Sequence, residues 1–242
     1  PAGLARLAGL LRADLALAEG IGPEGLDAGT ATSLAVVRSA YRLALDGLAL
    51  PYGDVAVGGW RNTPYVVIQN VGAWLDTPRF LDADHPVRSA GDAEAWLDRL
   101  AEMPAQLDGE SQRLRAAAGM GLVPPDFLLD RTIAAMRQSL SDLRGGGALV
   151  NSLASRTHGM ADDWQARATR LAADTVAPAL ERQLAELLAQ RPHAVSDAGL
   201  WARPQGDAFY AWALRAATTT SHSPAEIHAR GLEELATLHA RM

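Results

Sequence analysis

A three-to-four-residue rhythm of apolar side chains constrains this chain most. Leu34, Val37, Tyr41, Leu45 and Leu48 fall on one helical stripe. So do Leu129, Ile133, Met136, Leu140 and Leu143, and again Trp164, Ala168, Leu171, Thr175 and Ala179. Apolar residues at that period line up on one side of a 3.6-residue helix, so each run predicts a helix with one buried face. The fold class that follows is all-α, a multi-helix assembly. A chain of 242 residues can bury roughly 70–75% of its unfolded surface, enough for one helical domain over residues 1–242. The sequence starts at Pro1 and stops at Met242 within an amphipathic pattern, so that domain is expected to be cut at both ends.

Helix punctuation supports the same reading. Ser89-Ala-Gly-Asp92 is a cap signal ahead of the Trp96, Leu97, Leu100 face, and Pro104 reads as the opening of a further helix. Gly119 to Pro125 is a break before the helix carrying Phe127, and Gly145-Gly146-Gly147 ends that helix. The pattern from Ala161 to Gln190 is long and contains Pro178, which predicts a kink or a junction. Pro192 to Pro204 reads as irregular, with a short hairpin or extended piece near Gly199 to Gly206. The stretch Pro64 to Trp74 carries both signals, since Val66-Val67-Ile68 has strand propensity while Thr63-Pro64 resembles an N-cap and first helical residue. Helix is the favoured reading there.

Composition removes several chemistries. The 22 basic residues are all Arg against 28 acids, for a net charge of −6. No basic stripe of the kind a nucleic-acid binder displays is visible, so no nucleic-acid partner is expected. Without Lys or Cys there is no Schiff-base lysine, thiolate zinc site or cysteine nucleophile. No apolar run approaches the ~18–20 residues of a membrane span. Gly-x-Ser-x-Gly, His-Glu-x-x-His and phosphate-binding glycine loops are absent.

The densest polar stretch is TTTSHSPAEIHARGLEEL, Thr218 to Leu235. Ser223-Pro224-Ala225-Glu226 within it is a capping box with Pro at the first helical position, which accounts for all three functional groups structurally. His228 and His239 share a helix face, but eleven residues at about 1.5 Å each separate them by about 16 Å, too far for one metal. His228 also lacks a second ligand three or four residues away. No metal ligand set is expected within the chain.

Several segments taken in order carry a resemblance: YGDVAVGGWRNTPYVVIQNVGAWLDTPRFLDADHPV, DAEAWLDRLAEMPAQLDGE, GLVPPDFLLD, VAPALERQLAELL and GLWARPQGDAFYAWALRAATTTSHSPAEIHARGLEEL. Together they resemble a bacterial family of unknown function whose members look like gluzincin-type zinc metallopeptidases. The resemblance implies that this chain is the N-terminal helical part of a zinc-dependent peptidase-like hydrolase. The family's His-Glu-x-x-Pro-Gly-His helix would lie beyond Met242, with zinc as cofactor of the longer protein only and no catalytic residue here. It further implies a peptide-like substrate, a missing C-terminal half that packs on these helices, and export to the periplasm or beyond, with the cytoplasm left open. Arg61, Tyr65, Gln69, Asn70, Tyr210 and Arg215 are the expected substrate-facing residues, being polar or amphipathic side chains within otherwise apolar segments. The alternative is a non-catalytic helical binding or interaction module.

Overall fold

The structure is a computed structural model and describes residues 2–58 and 62–242. Among the described residues it is all-α, as the periodicity predicts: helices with no strand, and two isolated β-bridges, Asp54 with Thr63 and Ile68 with Val71. Two compact units form, one from residues up to Pro64 with Gly199–Met242, the other from Tyr65–Ala198.

The chain begins with α1 (Ala2–Gly20) and α2 (Ala28–Leu48). Asp27 caps α2 by accepting the Thr30 amide at 3.0 Å. Arg38 closes the C-terminal end of α1 by donating to the carbonyls of Ala18 and Ile21. The predicted α2 stripe is only half-buried, and Val37 is exposed. The fully buried positions are the small Ala44 and Gly47, and the indole of Trp212 occupies the space beside Gly47.

The second unit holds α3 (Ala73–Arg79), a π-turn at Phe80–Asp84, α4 (Ala90–Gly119), α5 (Asp126–Arg144), α6 (Ala148–Arg156), α7 (Trp164–Leu171), a second π-turn at Ala172–Val176 and α8 (Ala177–Gln190). The Ser89 cap is present: its hydroxyl accepts the Asp92 amide while the Asp92 carboxylate accepts from Arg88. Pro104 does not open a helix. It lies inside the 30-residue α4, where it withholds one hydrogen bond from the carbonyl four residues back. The buried row Leu100, Met103, Leu107 and Leu114 runs through that point, and its packing outweighs the missing bond.

Side-chain pairs fix the helix directions. Arg167 meets Glu94, Arg182 meets Asp108 and Arg115 meets Glu186, so α4 and the α7–α8 rod run parallel. Arg144 meets Glu181 and Arg191 meets Asp130, so α5 runs antiparallel to α8. Between α4 and α8 the amide of Gln183 donates to the Leu107 carbonyl and that of Gln190 to the Leu114 carbonyl. The α5 stripe is buried as predicted from Leu129 to Leu143.

The kink expected near Pro178 is a π-turn, in which the Ala177 amide reaches back five residues to Ala172. The wider turn shifts the buried face. Trp164, Ala168, Ala172, Val176 and Leu180 are buried at a constant spacing of four, and the predicted Thr175 is exposed.

The chain then passes through 3₁₀ turns at Arg191–His193 and Leu200–Ala202. No hairpin forms near Gly199 to Gly206, since the backbone turns at Gln205 with φ of +52° and enters α9 (Gly206–Thr218) directly. Thr219 ends α9 with φ of +55°, and α10 (Pro224–Arg241) begins with the predicted capping box. None of the residues of α10 is buried, and Leu232, Leu235 and Leu238 are about half exposed along one face.

Candidate substrate-facing cleft

The stretch Pro64 to Trp74, which reads as helix in sequence, is a compact turn as far as Gly72 and helical only from Ala73. Ile68 and Val71 exchange both backbone hydrogen bonds, at 3.1 and 3.2 Å, leaving Gln69 and Asn70 at the tip. Two observations explain why helix loses. Gly72 sits at φ of +125°, where a Cβ would also lie 2.9 Å from the Trp74 ring. The β-branched Val66 and Val67 meanwhile bury themselves against the core of this unit, a favourable use of side chains that are stiff in a helix.

Trp74 and Glu110 anchor this turn. The indole N–H of Trp74 is shared between the carbonyls of Ile68 at 3.3 Å and Val71 at 3.2 Å. Glu110, from α4, accepts the Ala73 amide with Oε1 at 2.8 Å and the Gln183 amide with Oε2 at 3.0 Å. A carboxylate at the start of α3 satisfies an orphan helix donor and complements the helix dipole. Glu110 was missed in sequence although its signal was there. It lies three residues after Leu107 and four before Leu114, on the buried stripe of α4, where an acid requires partners.

The structure places the six expected substrate-facing residues unevenly. Arg61 lies outside the described residues. Tyr65 is buried, Gln69 half-buried and Asn70 exposed, all within the one turn. Tyr210 and Arg215 belong to the other unit. There, α9 buries Phe209, Trp212 and Ala216 and leaves Tyr210 on the solvent side, 46% exposed. Arg215 is exposed and its guanidinium stands 3.5 Å from the Asp46 carboxylate.

Trp74 also forms one wall of a cleft of about 310 Å³ between α3 and the α5–α6 connection. Leu75, Pro78, Leu143, Leu149 and Val150 supply its apolar surface, and Arg79 and Asp82 stand on its rim. Gly147 lets the connection pass tightly: a Cβ there would come within 2.8 Å of the Asp142 carbonyl oxygen. The Asp142 side chain accepts the Gln138 amide at 2.9 Å. Arg79 forms no ion pair or hydrogen bond with another described residue. A small apolar cleft with a few polar groups at its edge is the usual form of a ligand pocket. This one can seat an apolar side chain and offer a cation to a neighbouring carboxylate or carbonyl.

Among the described residues no group of three or more His, Cys, Asp or Glu is placed to hold a metal ion. His85 is buried, with Nε2 3.1 Å from the Asp92 carbonyl and its ring stacked on Phe80. No described helix is long and apolar enough to cross a membrane.

Fold and cleft define a helical protein with a small apolar pocket that carries Arg79 and Asp82 on its rim. Residues 1–242 match the family described as "Bacterial protein of unknown function (DUF885)", and the chain belongs to that family. No curated protein matches it. A crystal structure of a protein described as "the putative lipoprotein from Colwellia psychrerythraea" has the same fold, with a TM-score of 0.86 at 21% identity. The alignment covers 96% of this chain and 41% of that one, so this chain spans about two fifths of that protein's length.

Proposed function

We propose that this chain is the helical, non-catalytic part of a longer zinc-dependent, gluzincin-type peptidase-like hydrolase, and that the α3–α6 cleft forms part of its substrate-binding wall. The observation that carries the reading is the cleft itself: an apolar cavity of 310 Å³ beside the unpaired Arg79 suits an apolar peptide side chain next to a backbone carbonyl or carboxylate. The anchored turn bearing Gln69 and Asn70 adds hydrogen-bonding groups within the same unit. The exposed leucine face of α10 supports a further segment of chain packing there, because apolar faces of this kind are usually covered. In this reading the metal and the bond-breaking step belong to a further part of the longer protein, and no chemistry is assigned to residues here. An exported location is part of this reading, supported by the description of the Colwellia protein as a lipoprotein.

The test is made on the full-length protein. The reading requires stoichiometric zinc, chelator-sensitive hydrolysis of a peptide library, and a raised KM with little change in kcat when Ser139→Trp fills the cleft. Absence of hydrolysis by the zinc-loaded protein would refute the enzyme assignment. An unchanged KM in the filled variant would remove the cleft from the substrate path.

A further inference from the structure

A second cleft, of about 590 Å³, lies in the first unit between α2 and the segment that follows α9. Its lining contains three arginines, Arg38, Arg42 and Arg215, four hydroxyl residues, Ser39, Thr219, Thr220 and Ser221, and only Ala35 and Leu43 as apolar residues. No carboxylate is among them, in a chain whose net charge is −6. That local reversal of sign calls for a cause.

The state of each cation sharpens the point. Arg38 is half-buried and donates from Nε and Nη2 to the neutral carbonyls of Ala18 and Ile21, so its charge meets no carboxylate and Nη1 makes no hydrogen bond. Arg42 is held by Glu19 at 2.5 Å, and Arg215 touches Asp46 only at 3.5 Å. Two carboxylates outside the cleft thus face three guanidiniums, leaving one positive charge unmatched. Among the hydroxyls, Ser39 and Ser221 make no hydrogen bond to another described residue. Thr218 and Thr220 pair at 3.0 Å, and the Thr219 hydroxyl donates to the Thr218 carbonyl at 2.7 Å.

The backbone gives an independent sign. Thr219 is in the left-handed region, φ +55°, where a β-branched residue is an outlier and helix ends ordinarily use Gly. Strain of this kind tends to collect at binding sites, where surrounding structure holds it in place. Here it turns the chain after α9 so that Thr219, Thr220 and Ser221 line the cleft.

We infer that this cleft binds the phosphate of a phosphomonoester. Guanidiniums recognise phosphate by charge-assisted hydrogen bonds, and a tetrahedral dianion accepts from donors spread around it, as the arginines and hydroxyls are here, better than a planar carboxylate does. A bare phosphate would leave most of the volume empty, so the group is carried by an organic body lying along Ala35 and Leu43. The site is separate from the α3–α6 cleft and does not rest on the peptidase reading.

The experiment is calorimetric titration of the full-length protein with phenyl phosphate in low salt. Benzoate, and sodium chloride matched for ionic strength, serve as controls. Vesicles of phosphatidate in phosphatidylcholine are tested beside phosphatidylcholine alone. Saturable binding of phenyl phosphate, at least tenfold tighter than benzoate, at least tenfold weaker in Arg215→Gln and lost in Ser39→Asp, is the expected result. Sedimentation with phosphatidate vesicles alone, lost in the same variants, would support the site and make its source a lipid headgroup. Both substitutions are at exposed positions, and circular dichroism checks their folding. No saturable response to either probe, equal binding of benzoate, or binding undiminished in folded Ser39→Asp would overturn the inference.

Discussion

Gly47→Ala tests the packing of the first unit most directly, because two well-calibrated effects oppose one another there. Gly47 is near the end of α2 with no positive φ, so helix propensity alone favours Ala by up to about 1 kcal/mol. A Cβ at that position, however, would lie 2.1 Å from Cζ2 and 2.5 Å from Cε2 of Trp212. Carbon atoms rest at about 3.5–4.0 Å, so the ring would have to move by roughly 1.5 Å. It has little freedom to do so: the indole N–H donates to the Leu43 carbonyl at 2.8 Å, and the ring packs edge-on against Phe209 with centroids 5.3 Å apart. Overpacking costs about 1–3 kcal/mol, and pulling the indole off its partly buried acceptor adds about 1–3 kcal/mol. The clash wins, for a net destabilisation of about 1–5 kcal/mol. Urea unfolding followed by tryptophan fluorescence measures it, with near-ultraviolet circular dichroism reporting the displaced indole. In a Trp212→Leu background the same Gly47→Ala change is expected to be neutral or stabilising, a coupling above about 1 kcal/mol. A Gly47→Ala protein as stable as the parent, or an additive double variant, would refute the argument.

Three further outcomes follow from the second unit and α10. Glu110→Ala leaves the Ala73 and Gln183 amides without their carboxylate and is expected to lower stability by about 2–3 kcal/mol; a loss below about 0.5 kcal/mol in urea unfolding would show that the anchor is dispensable. Hydrogen bonds from the Arg88 amide first, and from the Ser89 hydroxyl next, hold the Asp92 carboxyl below its ordinary value. Its contribution is therefore complete above the normal carboxylate range and lost as pH falls through the depressed folded value. Stability measured from pH 6 downward should decline less steeply in Asp92→Asn, and parallel curves would count against that assignment. Leu235→Glu on the exposed face of α10 is expected to change the unfolding free energy of this chain by less than about 0.5 kcal/mol, while reducing the hydrolytic activity proposed above for the longer protein. A large loss in the chain alone would mean that α10 packs locally after all.

Most of the helices were legible because their signals are local. Capping by Ser89 and Ser223, the glycine break at 145–147 and the α5 stripe all depend on neighbours within four residues. The misreadings arose where distant groups decide. Tyr65 to Gly72 has a plausible helix start, but Trp74 and Glu110 hold it as a turn. Pro104 punctuates in sequence, yet apolar packing on both sides carries α4 through it. The period of the α7 stripe slips because the π-turn adds width that a fixed 3.6-residue count does not anticipate. The candidate residues Tyr210 and Arg215 were chosen as polar groups in apolar helices. Their exposure on α9 shows that an apolar helix can still turn such groups outward. The basic cleft was missed because its arginines are split between two helices far apart in sequence.

The paired glutamines of α8 have a consequence for assembly of the second unit. Gln183 and Gln190 are seven residues apart, and so are the Leu107 and Leu114 carbonyls that receive them. The two helices therefore act like a pair of notched rules that agree at one offset. Sliding α8 by a single turn, about 5.4 Å, would still bring leucines against leucines, so apolar contact alone discriminates poorly between alignments. It would also draw both amide N–H groups off the carbonyls that receive them, at about 0.5–1.5 kcal/mol each, and that penalty falls on the wrong alignments. The leucines provide adhesion between these parallel helices, and the two amides provide the alignment mark.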